Sequence, residues 1–221
     1  MIPTTKFKAA LGGLALIAAA VLPANANAAA AVPDSVSVAT SKPVPKLGYS
    51  TQSVKTLNID FQYQQTGYWC GPAATRIALS ARISPPSQQQ LANELPTTTN
   101  GTDWIGQVTR VLNNHLGTGW YETKEMPNDP PTQAQRDLLW RDVVLDIDNN
   151  YPIVANIVAP ASNHPPGYPN YTIYHYFTVI GYDSSDQTVL IADPAGFAPT
   201  ATYWLTFNQL ATLIPPKGYA A

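Results

Sequence analysis

The sequence predicts an α+β domain with an antiparallel sheet, on three observations. Helical periodicity fills the first half of the domain. Apolar runs of strand length fill the second. The two kinds of segment are not interleaved, which argues against a parallel βαβ sheet and for helices packed on strands joined by turns.

The elements follow in order. Residues 1–28 read as a secretion signal: Lys6 and Lys8 form a short basic region, Ala9 to Val21 is apolar and small, and ANANAAA offers cleavage after Ala26 or Ala28. That apolar stretch is shorter than the ~20 residues a membrane span needs, so an exported protein without stable membrane insertion is expected. Residues 29–56 are rich in Pro, Ser and Ala without periodicity and read as a flexible linker or pro-segment. The domain is expected over 57–215, with 216–221 as a C-terminal tail. LNIDFQYQQ forms an extended lead-in. A helix starts at Cys70 and runs to Arg82, with Pro72 in its first turn, where a missing N–H costs little. Pro85-Pro86 stops it, and Ser87 caps QQQLANEL. WIGQVTRVLNNHL places Trp104, Ile105, Val108, Val111, Leu112 and Leu116 at helical spacing. Thr132 caps the longest helix, QAQRDLLWRDVVLDIDNN. From Tyr151 the pattern turns to strands: PIVANIV, HYFTVIGY, TVLIAD and ATYWL, with FNQLATLI as a closing helix.

Composition narrows the function. The net charge is −2. It becomes −4 once residues 1–28, which hold two lysines and no acid, are removed. With no basic run, nucleic acid is not expected as a partner. Charged residues make up 12% of the chain, about half the usual ~25%, which suits an extracellular globular domain. Three histidines and one cysteine show no metal-ligand spacing, so neither metal nor cofactor is expected.

That single cysteine carries most of the functional signal. A secreted chain pairs its cysteines, and Cys70 cannot close an intramolecular disulfide. It is a buried bystander, a partner for another chain, or a reactive thiol. Its setting favours the last: it opens a helix, where the helix dipole favours a thiolate, and glutamines precede it. His175 opens HYFTVIGY and Asp193 closes TVLIAD. Their midpoint is Ser184, in the turn-rich YDSSDQ, so a simple hairpin would set the two residues opposite each other on one face. Histidine could then pair with the thiolate and protonate a leaving amine, with aspartate fixing its tautomer. The oxyanion needs donors; the Cys70 N–H is one and an upstream glutamine amide, Gln64 or Gln65, the other. Gly71 leaves the approach to the thiol open, and Trp69 is the best candidate for a cleft wall. His115 and His164 read as structural.

QQTGYWCGPA at 64–73, YPIVANIV at 151–158, HYFTVIGYD at 175–183 and IADPAG at 191–196 resemble the papain-like cysteine peptidases, and more closely the secreted relatives of the double-glycine leader peptidases of family C-thirty-nine. The resemblance implies a papain-like fold with the nucleophile at a helix N-terminus. It implies Cys70 as nucleophile, His175 as base, Asp193 as orienting residue, and Gln64, six before the cysteine, in the oxyanion hole. A bacterial, monomeric enzyme acting on a peptide or protein substrate is expected. No transporter segments follow, so a double-glycine substrate does not carry over. Two other functions use the same framework: acyl transfer to an amine, as in transglutaminases, and a catalytically silent binding module.

Overall fold

The computed structural model describes residues 54–221. The expected signal segment 1–28 and most of the expected linker 29–56, up to residue 53, lie outside the described residues. Seven strands and five helices are described: β1 (Val54–Thr56), α1 (Cys70–Ser80), α2 (Gln88–Glu94), α3 (Ile105–Leu116), β2 (Thr123–Glu125), α4 (Gln133–Asp148), β3 (Ile153–Ala159), β4 (Ile173–Asp183), β5 (Thr188–Ala192), β6 (Thr202–Thr206), α5 (Phe207–Leu213) and β7 (Gly218–Ala220). The strands form one antiparallel sheet in the order β2-β7-β3-β4-β5-β6, and β1 pairs with the far end of β4. The domain is α+β, as the sequence predicts.

Helices cover both faces of this sheet. α1, α2 and α3 bury Ala74, Ala78, Leu91, Val108 and Leu112 against Val154, Tyr176 and Ala220. α4 and α5 bury Leu139, Val143, Ile147 and Leu210 against Ile153, Ala155, Phe177 and Val179. A strand covered on both faces has no reason to alternate, which is why IVANIVA of β3 reads as one apolar run.

α1 is the central helix, buried from Cys70 to Leu79. Its small residues Ala73, Ala74 and Ala78 let it lie close to β4, where the Thr178 hydroxyl donates to the Ala74 carbonyl at 2.9 Å. The hydroxyls of Ser87, Thr132 and Thr206 accept from Gln90, Gln135 and Gln209 N–H and start α2, α4 and α5.

The structure corrects the domain limits at both ends. Residues 216–221 are not a tail: β7 lies inside the sheet, pairing with β2 and β3, and Tyr219 is 1% exposed. PKGYAA is too short to show periodicity and follows two prolines, so nothing in its pattern marks a strand. At the other end, β1 places Val54–Thr56 in the sheet and the Lys55 ammonium donates to the Asp148 carbonyl at 2.7 Å. A boundary at 57 therefore cuts through the domain. The helix expected over 70–82 ends at Ser80, and β2, three residues long, left no sequence signal.

Candidate active site

Cys70 is the first residue of α1 and is 9% exposed. No side chain caps the helix and no acid lies in its first turn. Within that turn Pro72 has no N–H and the Ala73 N–H donates to the Trp69 carbonyl at 2.9 Å, so the positive end facing the thiol comes from the start of the turn, where the Gly71 N–H bonds it. The helix can come this close to its surroundings because residue 71 is glycine: a Cβ there would lie 2.2 Å from the Thr102 hydroxyl oxygen. Gly71 thus serves close packing of α1 on the Asn100–Asp103 turn, rather than standing open towards a substrate.

His175 lies on β4 opposite Ile157 of β3 and is 4% exposed. Asp193 follows β5 directly and is 2% exposed. The imidazole Nε2 donates to Asp193 Oδ1 at 2.8 Å. This leaves Nδ1 as the ring nitrogen available to Cys70.

The contact forms, but not by the simple hairpin the spacing predicts. The turn occupies Ser184–Gln187 between paired Asp183 and Thr188, and Gly181 faces Leu190. Carried on unbroken, that register would put His175 and Asp193 on opposite faces. A bulge between Val179 and Gly181 shifts it by one residue, so that Val179 faces Ile191 and Thr178 faces Ala192. Asp193 then falls on the line of Phe177, and His175 is its diagonal neighbour on the same face, within reach of an imidazole.

The charges of the three groups support one another. Burial pushes the Cys70 thiol up, but the hydrogen bond and charge of His175, with the Tyr176 and Gly71 N–H groups, outweigh it and hold the thiol below its ordinary value. Burial lowers His175, yet the charge and hydrogen bond of Asp193, aided by Cys70, raise it to about 10. Burial raises Asp193, and His175, Tyr203 and the Ala195 N–H bring it down to about 2. Each shift is towards the charged form: thiolate, imidazolium and carboxylate.

A cleft of about 180 Å³ opens at Cys70 and His175. The Asn100–Asp103 turn forms one wall; Asn156, Tyr174 and Tyr176 of the sheet, with Lys217, form the other. Trp69, expected as a cleft wall, is half-buried at the N-cap of α1 and is not among the lining residues. The two upstream glutamines separate clearly. Gln65 is exposed, and its backbone N–H donates to Gln88 Oε1. Gln64 is half-buried, its N–H donates to the Pro194 carbonyl at 2.9 Å, and its amide oxygen is buried without a partner among the described residues. Gln88 itself, fully buried, also donates to the Tyr63 carbonyl at 2.8 Å and so pins the lead-in to Cys70. No sequence signal singled it out from its neighbours in QQQ.

The chain from residue 56 to 212 matches the model of the Peptidase_C39 like family. The chain belongs to that family. A comparison with curated proteins finds no match. Among solved structures, the peptidase domain of Streptococcus ComA, a bifunctional ABC transporter of a quorum-sensing pathway, is 18% identical with a TM-score of 0.47, over 74% of this chain and 98% of that one. Xylellain, a cysteine protease of Xylella fastidiosa, is 14% identical with a TM-score of 0.48, over 76% and 85%. Among the described residues of this family member, no cluster of His, Cys, Asp and Glu is arranged to hold a metal ion, and no helix is long and apolar enough to cross a membrane.

Proposed function

We propose that this member of the Peptidase_C39 like family is an exported cysteine peptidase that hydrolyses peptide or isopeptide bonds through Cys70, His175 and Asp193. The observation that carries the reading is the buried imidazole of His175, bonded through Nε2 to Asp193 and leaving Nδ1 for a thiol at a helix N-terminus. The Cys70 thiolate attacks the scissile carbonyl carbon. The resulting oxyanion accepts from the Cys70 N–H and the Gln64 amide. The C–N bond breaks as His175 gives its Nδ1 proton to the leaving nitrogen, and a thioester remains on Cys70. Neutral His175 then takes a proton from water, whose oxygen attacks the thioester. Collapse expels the thiolate and restores the ion pair. The signal read over 1–28 supports export, and we read the enzyme as a monomer that meets peptide or protein substrates outside the cell.

The test is alkylation of exported protein by iodoacetamide, with the modified residue located by mass spectrometry. Cys70 is expected to react faster at pH 6 than in the denatured chain, and to slow on His175→Ala. Cys70→Ala is expected to abolish hydrolysis with little change in melting temperature. Full activity in Cys70→Ala would end the reading, and products carrying an added amine would turn it towards acyl transfer. Sequencing of exported protein is expected to start at Asn27 or Ala29.

A further inference from the structure

Asp193 accepts more hydrogen bonds than a residue orienting a histidine needs. Oδ1 takes the His175 Nε2–H at 2.8 Å and the Ala195 N–H at 2.9 Å. Oδ2 takes two tyrosine hydroxyls, Tyr168 at 2.7 Å and Tyr203 at 2.6 Å. A carboxylate has about four lone-pair sites, and all are filled. The two tyrosines come from unrelated parts of the chain. Tyr203 lies on β6, paired with Ile191 of β5, the strand that leads into Asp193. Tyr168 lies in the connection between β3 and β4, buried, with its ring edge-to-face on the His175 imidazole at 6.1 Å between centroids. That connection is held against the segment after Asp193 at Gly167, where φ is +78° and a Cβ would meet the Phe197 carbonyl oxygen at 2.2 Å.

We propose that Tyr168 and Tyr203 are positioning residues of the proposed active site, which lock the Asp193 carboxylate in the rotamer and ionisation state that hold His175 ready for Cys70. The inference rests on the Cys70–His175–Asp193 reading. Each phenol has one proton, and both give it to the same oxygen. A protonated Asp193 with its proton on that oxygen would break the arrangement, so the geometry selects the anion. The two donors also fix the carboxylate plane. With Oδ2 tethered on two sides, Oδ1 has one direction left, towards Nε2. Without the hydroxyls, Oδ2 becomes a buried, unpaired charged oxygen, and the carboxyl lowers that cost by rotating or by taking a proton. Either change removes the partner that keeps His175 charged, and with it the cation that stabilises the thiolate.

The test uses Tyr168→Phe, Tyr203→Phe and the double variant in the full chain. Phenylalanine keeps the ring, so the packing on His175 and Phe197 is retained. The readouts are the rate of Cys70 alkylation by iodoacetamide from pH 3 to pH 9 and the melting temperature at each pH. The double variant is expected to alkylate roughly tenfold or more slowly at its plateau, the scale of lost hydrogen bonds to a charged group. Its acid limb is expected to move up by about one pH unit, and each single variant less. If the double variant does not fold, the singles carry the same test. A lowered melting temperature with an unchanged limb and plateau would make the tyrosines packing residues and overturn the proposal alone. A wild-type Cys70 no more reactive than in the denatured chain would overturn the active-site reading, and this inference with it.

Discussion

Two aspartates in this molecule are equally buried and meet opposite fates. Asp193 and Asp146 are each 2% exposed. Asp193 has four donors and sits at about 2. Asp146, near the end of α4, has one side-chain donor, the Trp120 indole at 2.6 Å, and its Oδ2 is buried without a partner among the described residues. Desolvation, with the charge of Asp142 one helical turn earlier, raises it to about 7. Asp142 is raised too, by burial, and accepts from the Tyr219 hydroxyl at 2.8 Å. Burial alone therefore does not decide whether a carboxyl in this core is charged. The charge of its neighbours and the donors aimed at it do: His175 beside Asp193, Asp142 beside Asp146. One region is built to hold an anion at working pH, and the other holds a proton until near neutrality.

The largest expected break in this contrast is Asp193→Ala. It leaves His175, two tyrosine hydroxyls and the Ala195 N–H facing a void, and should destabilise by roughly 3–5 kcal/mol while slowing turnover by roughly 10³-fold or more. Asp193→Asn should be far milder, because the amide oxygen can accept from His175 and its NH₂ can donate to both phenol oxygens. Thermal denaturation and peptide turnover of the pair decide this; equal damage from both would show that charge matters and hydrogen-bond matching does not.

Asp146→Asn should act in the opposite sense. Folded Asp146 keeps a proton that the unfolded chain, at its ordinary 3.8, releases. Its stabilising contribution is full below about pH 4 and is lost as pH rises towards 7. For Asp193 the contribution is full above about 4 and is lost as pH falls through 2. Wild-type stability should thus peak on the acid side of neutrality. Asp146→Asn should raise stability at pH 8 by on the order of 1–3 kcal/mol, do little at pH 4, and leave turnover unchanged. A wild-type melting temperature that climbs from pH 4 to pH 7 with the same slope in the variant would contradict this. The smallest effect is expected from Trp120→Phe, which keeps the stack on Tyr151 (rings 4.4 Å apart) but removes the lone donor. The alkaline loss of stability should extend to higher pH and deepen, by roughly 1 kcal/mol above neutrality.

The parts of the fold legible in the sequence are those whose signals are local. Helices announced by Ser87 and Thr132 start where those caps put them, because a cap acts within one turn. The apolar runs of β3, β4 and β5 were readable because each is long enough to show its burial. β1, β2 and β7 were not, since three residues carry no period and their place is set by partners far along the chain. The candidate site divides the same way. Cys70, His175 and Asp193 stood out as residue types in a telling order. Their contact depended on a bulge near Ile180 that two errors of register happened to conceal: a longer turn and a one-residue slip. Tyr168, Tyr203 and Gln88 could not be chosen from among twelve tyrosines and a run of glutamines, because only tertiary structure aims them. Trp69 and Gly71 were read from proximity in sequence to Cys70, and neither is among the residues that line the cleft.

The insertion of β7 between β2 and β3 bears on how the molecule assembles. Both neighbours precede it by more than fifty residues in the chain. Until Gly218–Ala220 arrive, β3 presents a bare, apolar edge and β2 has no sheet to join. The growing polypeptide therefore carries an unfinished sheet, open to pairing with another strand, from the appearance of β3 until its last residues. Closing that gap is a late, long-range event, and interruptions between α5 and Ala220 should yield aggregation rather than a smaller folded domain.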